Sequence, residues 1–131
     1  MITLIYGAKG SGKTKRIIDA ANALQTGGHC TFFGKPRYAL ELNREIRFIN
    51  PEDYQLVGKE KLIGFVLGLI AGDADIGDMF IDGLHRVVGC DVTELSDVFD
   101  ALDRIGMTYN VNFTVSVTTG AQLPEYLKKY I

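Results

Sequence analysis

A chain of 131 residues, 47% hydrophobic and 23% charged, has the length and composition of one ordinary globular domain spanning 1–131. Its formal net charge of −2 gives no basic surplus of the kind that marks a dedicated nucleic-acid binder. Two cysteines in no Cys-x-x-Cys pair, no leader-like start and a longest apolar run of about ten residues (Leu62 to Ala71), against the ~20 that span a membrane, predict a cytoplasmic protein with reduced thiols and no membrane contact.

Ile2-Thr3-Leu4-Ile5-Tyr6 is a short, almost wholly apolar run, which suits a central strand covered on both faces. After a glycine-rich turn, Ile17, Ala20, Ala21 and Leu24 recur at helical spacing. They predict a helix from about Lys13 to Gln25 that Gly27-Gly28 stops. Cys30 to Phe33 reads as a second strand and Glu45 to Ile49 as a third. Asn50-Pro51-Glu52-Asp53 carries the signals of a helix start: a capping amide, a proline in the first turn, and acids at the positive dipole end. Lys59 to Ala71 is an apolar helix ended by Gly72. An acidic loop with Asp73, Asp75 and Asp78 leads into the apolar strand Met79-Phe80-Ile81, which ends in Asp82. Asp91 and Glu94 have capping-box spacing and open a helix with the face Leu95, Val98, Phe99, Leu102 and Ile105, closed by Gly106. Tyr109 to Val117 alternates apolar and polar residues, the pattern of a strand at a sheet edge or beside a cleft. Leu123 to Tyr130 is a last amphipathic stretch. Strands and helices alternate throughout, which predicts an α/β domain with a parallel sheet, helices on both faces and right-handed crossovers.

Gly7-Ala8-Lys9-Gly10-Ser11-Gly12-Lys13-Thr14 fits the pattern G-x-x-x-x-G-K-[ST]. Its glycines let the backbone take positive φ and approach an anion closely. Successive backbone N–H groups then form a nest, and the following helix aims its positive end at the same point. In such a loop the lysine reaches the β- and γ-phosphates of a nucleotide, and the threonine hydroxyl completes a Mg²⁺ shell. The fixed positions would match by accident in roughly one chain of this size in a hundred.

The loop from Gly7 to Thr14, together with Met79-Phe80-Ile81-Asp82, resembles the P-loop NTPase superfamily, as its Walker A loop and Walker B strand. The resemblance implies a three-layer α/β/α fold, with a mainly parallel sheet of about five strands, and binding of ATP or ADP with Mg²⁺. It also implies that the Walker B strand lies beside the P-loop strand and ends in an aspartate that holds the metal through water. On that basis Lys13 and Asp82 are the catalytic candidates, and Thr14 and Asp82 the metal candidates. Gly7, Ala8, Lys9, Gly10, Ser11, Gly12, Lys13, Thr14 and Lys15 are the nucleotide contacts. The strand between the first helix and the Walker B strand is similar to the division that holds RecA-like ATPases and thymidine-kinase-like enzymes. Phe33-Gly34-Lys35-Pro36-Arg37-Tyr38 resembles the Lys-Pro turn of thymidine kinases. Two features depart from those kinases: Gly83 stands where they carry a catalytic Glu, and two lone cysteines cannot build their zinc ribbon.

Three functions follow as expectations. The first is an ATP-binding protein with Mg-dependent hydrolysis that is slow or activated by a protein partner or a second copy. The second is a small kinase of the nucleoside or nucleotide type. The third is a RecA-like motor or assembly domain in which Arg104 serves a neighbouring subunit. ATP is favoured over GTP, because Val117-Thr118-Thr119-Gly120 stands where GTPases carry their guanine-reading Asn-Lys-x-Asp. Further candidates each have a plainer reading as surface or strand-end residues. They are His85 as a base, Ser116, Thr118 and Thr119 as phosphate sensors, and Lys35, Arg37 and Arg86 as sources of positive charge.

Overall fold

The computed structural model describes residues 1–24 and 29–131, so the expected Gly27-Gly28 helix stop lies outside the described residues. Five strands form one sheet: β1 (Ile2–Gly7), β2 (Cys30–Phe33), β3 (Arg47–Ile49), β4 (Asp78–Ile81) and β5 (Asn112–Thr118). The order is β1-β5-β4-β2-β3, and every pairing is parallel. Between the strands run α1 (Lys13–Ala23), α2 (Lys59–Gly72), α3 (Leu84–Val88) and α4 (Ser96–Tyr109), with 3-10 turns at Pro36–Glu41, Pro51–Tyr54, Val92–Glu94 and Glu125–Tyr130. No helix among the described residues is long and apolar enough to cross a membrane.

Alternate residues of β1, β2, β3 and β4 feed two apolar clusters, one on each face of the sheet, and β5 feeds one of them. Ile5, Phe32 and Phe80 pack with Ile17, Ile18 and Ala21 of α1. Leu4, Phe33, Met79, Ile81, Phe113 and Val115 pack with Leu62 and Val66 of α2 and with Phe99 and Leu102 of α4. Burying each of these larger side chains contributes about 1.5–3 kcal/mol against leaving it in water.

Two strand placements correct the sequence reading. β1 is not central: among the described residues it pairs only with β5 and forms the sheet edge. It is apolar because α1 covers one of its faces and α4 the other, and neither fact bears on its lateral neighbours. β5 lies between β1 and β4, so of the two placements its alternation allowed, edge or cleft, it takes the second, with Ser116 and Thr118 on a cleft wall. The polar row of β5 faces the carboxylates of β4 and its end: Asn112 is level with Asp78, and Ser116 hydrogen-bonds Asp82. The strand that leads to Asp82 is therefore one strand removed from β1, not beside it.

Several boundaries also move. Asn50 does cap, accepting from the Glu52 N–H, but it caps the short Pro51–Tyr54 turn, and α2 starts only after Gly58. Asp91 likewise caps the Val92–Glu94 turn, and α4 begins at Ser96. Gly106 does not close α4, which runs to Tyr109 and ends at Asn110 in the left-handed region. A side chain at Gly106 would put its Cβ 2.7 Å from the Val111 carbonyl oxygen, so this glycine serves a close backbone approach. Asp78 opens β4 rather than lying in the preceding loop, and its partial burial raises its pKa. The helix α3 carried no sequence signal strong enough to predict it.

Burial separates the two thiols. Cys30 is 1% exposed in β2, and burial, with Asp78 beside it, pushes its pKa up to about 12. Cys90 is half-buried. Because the thiolate is the reactive form, native protein at pH 8 is expected to take up one equivalent of iodoacetamide, at Cys90, and a second only after denaturation. Mass spectrometry of tryptic peptides checks this; early labelling of Cys30 would contradict the packing.

Candidate functional site

The carboxyl ends of β1, β4 and β5 open onto one cleft of about 930 Å³. Such ends are where parallel sheets place ligands, because the connecting loops splay apart there. Between β1 and α1 the chain turns through Gly10 and Gly12, both with φ near +80° (80° and 85°). A residue with a Cβ would be strained at either position. Gly12 is also the N-cap of α1 and offers no side chain to it, so no side-chain hydrogen bond caps the first turn of that helix. Exposed N–H groups of this kind, with the helix dipole behind them, receive anions.

Lys13, half-buried at the start of α1, folds back over the loop and donates to the Ala8 carbonyl at 2.7 Å. Its ammonium lies 3.5 Å from Ser11 Oγ. Lys9, Lys15, Lys35, Arg37 and Arg86 line the same cleft, so six cations face two carboxylates, Asp82 and Asp91. Lys15 lies 3.1 Å from Asp19 one helical turn on, an exposed pair worth little in water.

Asp82 sits just past β4 and is 4% exposed. Thr14 Oγ1 donates to its Oδ2 at 3.1 Å, although the residues are 68 apart in sequence. Ser116 Oγ donates to its Oδ1 at 2.7 Å and accepts from the Gly83 N–H at 2.8 Å. The β4–β5 register makes this possible: Ile81 is level with Val115, so the next residue of each strand, Asp82 and Ser116, meet. The Asp82 N–H donates to the Phe33 carbonyl at 2.9 Å, and Arg86 Nη2 donates to the Asp82 carbonyl at 3.0 Å. The carboxylate is thus fixed from several sides, with Oδ2 turned to Thr14. Two hard oxygen donors on a rigid frame fit a small divalent cation such as Mg²⁺ better than a soft metal.

The loop residues, Lys13, Thr14 and Asp82 are brought together as a group, and Lys35, Arg37, Arg86 and His85 join the cleft wall. Ser116 reaches the cleft wall but is nearly buried, and its hydroxyl is taken up by Asp82. Thr118 lines the cleft, and the Thr119 N–H ties the end of β5 to the Gly7 carbonyl at 2.9 Å. Arg104 lies exposed on α4 and does not line the cleft. Tyr38 and Asp91 line it without having been expected to. The capping pattern at Asp91 was visible in sequence, but its position opposite the loop depends on the turn that α3 imposes.

His85 is half-buried in α3, and its Nδ1 has no hydrogen-bond partner among the described residues. Burial lowers its pKa below the ordinary 6.5, and Arg86 and Lys13 lower it further. The imidazole is therefore neutral at pH 7. Since the unfolded chain takes up this proton more readily, the stability His85 contributes is full above the ordinary pKa and is lost as pH falls through it. A ring-proton NMR titration is expected to place the His85 midpoint below 6.5; a midpoint above that value would contradict the burial. No protein-family model matches the chain, and no curated protein matches it.

Proposed function

We propose that this chain is an ATP-binding P-loop protein with Mg-dependent hydrolysis that is slow on its own or activated by a partner. The observation that carries the reading is the meeting of Thr14 and Asp82 at 3.1 Å, beside a glycine-turned loop capped by Lys13. A glycine turn, a helix-starting lysine or a strand-end aspartate is common by itself in proteins that bind no nucleotide. Their convergence at the carboxyl end of a parallel sheet is what a nucleotide phosphate with its cation requires. The five-strand sheet with helices on both faces is compatible with the three-layer α/β/α arrangement of P-loop proteins.

In this reading the loop N–H groups and Lys13 hold the β- and γ-phosphates, and Lys9 and Lys15 offset their charge. Thr14 and Asp82 would hold Mg²⁺, which when bound draws charge from the phosphate oxygens. Ser116 keeps Asp82 in its working rotamer. The cleft is short of a carboxylate base, and burial makes the His85 imidazole a weaker one than usual. Gly83 follows Asp82, and the other carboxylate, Asp91, has its pKa lowered by hydrogen bonds from the Thr93 N–H and hydroxyl. A carboxylate stabilised in that way is a poor proton acceptor, which supports slow turnover.

The test is calorimetric titration of the intact chain with ATP, ADP and GTP, with and without Mg²⁺. Binding of ATP in the micromolar to millimolar range, tightened by Mg²⁺ and stronger than GTP binding, is expected. A folded chain that takes up no nucleotide at several millimolar overturns the proposal.

A further inference from the structure

A second cavity, of about 380 Å³, opens beside the cleft, at the carboxyl ends of β2 and β3. Its size lies within the ~300–1,000 Å³ of pockets that hold small molecules. The floor is apolar: Leu56 is 3% exposed, and Val57, Pro36 and Pro51 flank it. The rim carries three cations, Lys35 from the turn after β2, Lys61 from α2 and Arg86 from α3, against one carboxylate, Glu52. None of those three cations is ion-paired among the described residues. Lys35 and Arg86 line the main cleft as well, so the two cavities share a charged wall.

Gln55, another part of the lining, has φ 54°, ψ 49°. It closes the Pro51–Tyr54 turn there, its N–H donating to the Glu52 carbonyl, and so carries the chain over the cavity floor to Leu56.

We propose that this cavity binds a small molecule with an apolar body and an anionic head, a carboxylate or a phosphate monoester. Leu56, Val57 and the two prolines cover the body, and Lys35, Lys61 and Arg86 receive the head. The site stands apart from the nucleotide reading, because nothing in it requires the Gly7–Thr14 loop to be occupied. If both are filled, the head lies next to the main cleft, and each ligand alters the affinity of the other through Lys35 and Arg86.

Fluorescence titration with 1-naphthyl phosphate, 1-naphthoate and neutral 1-naphthol tests this on the intact chain, on Lys61→Glu and on Lys13→Ala. Lys61 is exposed in the first turn of α2, where an acidic residue suits the helix dipole, so the substitution should not disturb folding. At least one of the two anions is expected to bind about tenfold or more tightly than the naphthol, and the tighter one identifies the head. Lys61→Glu should weaken it about tenfold or more, while Lys13→Ala changes it less than about twofold. ATP binding, where present, should respond in the opposite way to the two variants. Equal binding of the neutral probe, indifference to Lys61→Glu, loss of binding in Lys13→Ala, or no binding of either anion would each overturn the proposal.

Discussion

Lys13→Ala is expected to lower affinity for Mg-ATP by about 10- to 150-fold while leaving the unfolding midpoint nearly unchanged. Its ammonium donates to the Ala8 carbonyl at 2.7 Å across an exposed loop, so it already stands over the place a phosphate would take. A hydrogen bond to a charged group contributes about 1.5–3 kcal/mol, and each 1.4 kcal/mol is tenfold in affinity. The loop closure it makes in the free protein is local, partly solvated and worth only about 1 kcal/mol, so stability should barely move. Calorimetry beside a thermal melt reads both quantities. Unchanged affinity would mean that the nucleotide binds elsewhere, and a large fall in stability would mean that Lys13 is a structural residue.

Ser116→Ala should have its largest effect on stability. The hydroxyl is 1% exposed and serves two groups at once, donating to Asp82 Oδ1 and accepting from the Gly83 N–H. Alanine fits the space but leaves a buried carboxylate oxygen and a buried N–H without partners. Each such loss costs about 1–3 kcal/mol, so a fall of about 2–4 kcal/mol is expected in chemical denaturation. Asp82, freed on one side, would also hold a cation less well, and the Mg²⁺ concentration needed for ATP binding should rise. Wild-type stability in the variant would show that water replaces the hydroxyl and that Ser116 does not position Asp82.

The loop and Asp82 were legible in the sequence because their signals are local: glycines at fixed spacing, a lysine and a threonine, an apolar run ending in a carboxylate. What joins them was not legible, since it depends on the order of strands. The alternation in Asn112, Thr114 and Ser116 was plain. Whether a polar row faces solvent or a neighbouring carboxylate depends on which strand lies beside it, and no feature of β5 itself says so. β1 misled in the converse way: two covering helices make a strand apolar on both faces, whether it is central or lateral. The caps at Asn50 and Asp91 were real, yet each serves a turn of a few residues, because the same side-chain hydrogen bond closes a 3-10 turn as readily as it starts an α-helix. Arg86 and His85 entered the cleft through α3, whose five residues are too few to show a period.

β1 pairs with β5 across more than a hundred residues of sequence, Ile2 level with Phe113 and Gly7 with Thr118. Until β5 has been synthesised, the loop after β1 has no strand to rest against and Asp82 has no Ser116. A chain that stops short of β5 therefore carries all the glycines of its loop but lacks the strand that joins β1 to β4. Folding that depends on contacts so distant in sequence is slow, and it leaves time for chains to find one another instead of themselves. A ligand that grips the Gly7–Thr14 loop and Asp82 together would act as a clasp on a closed ring, holding shut the seam that forms last.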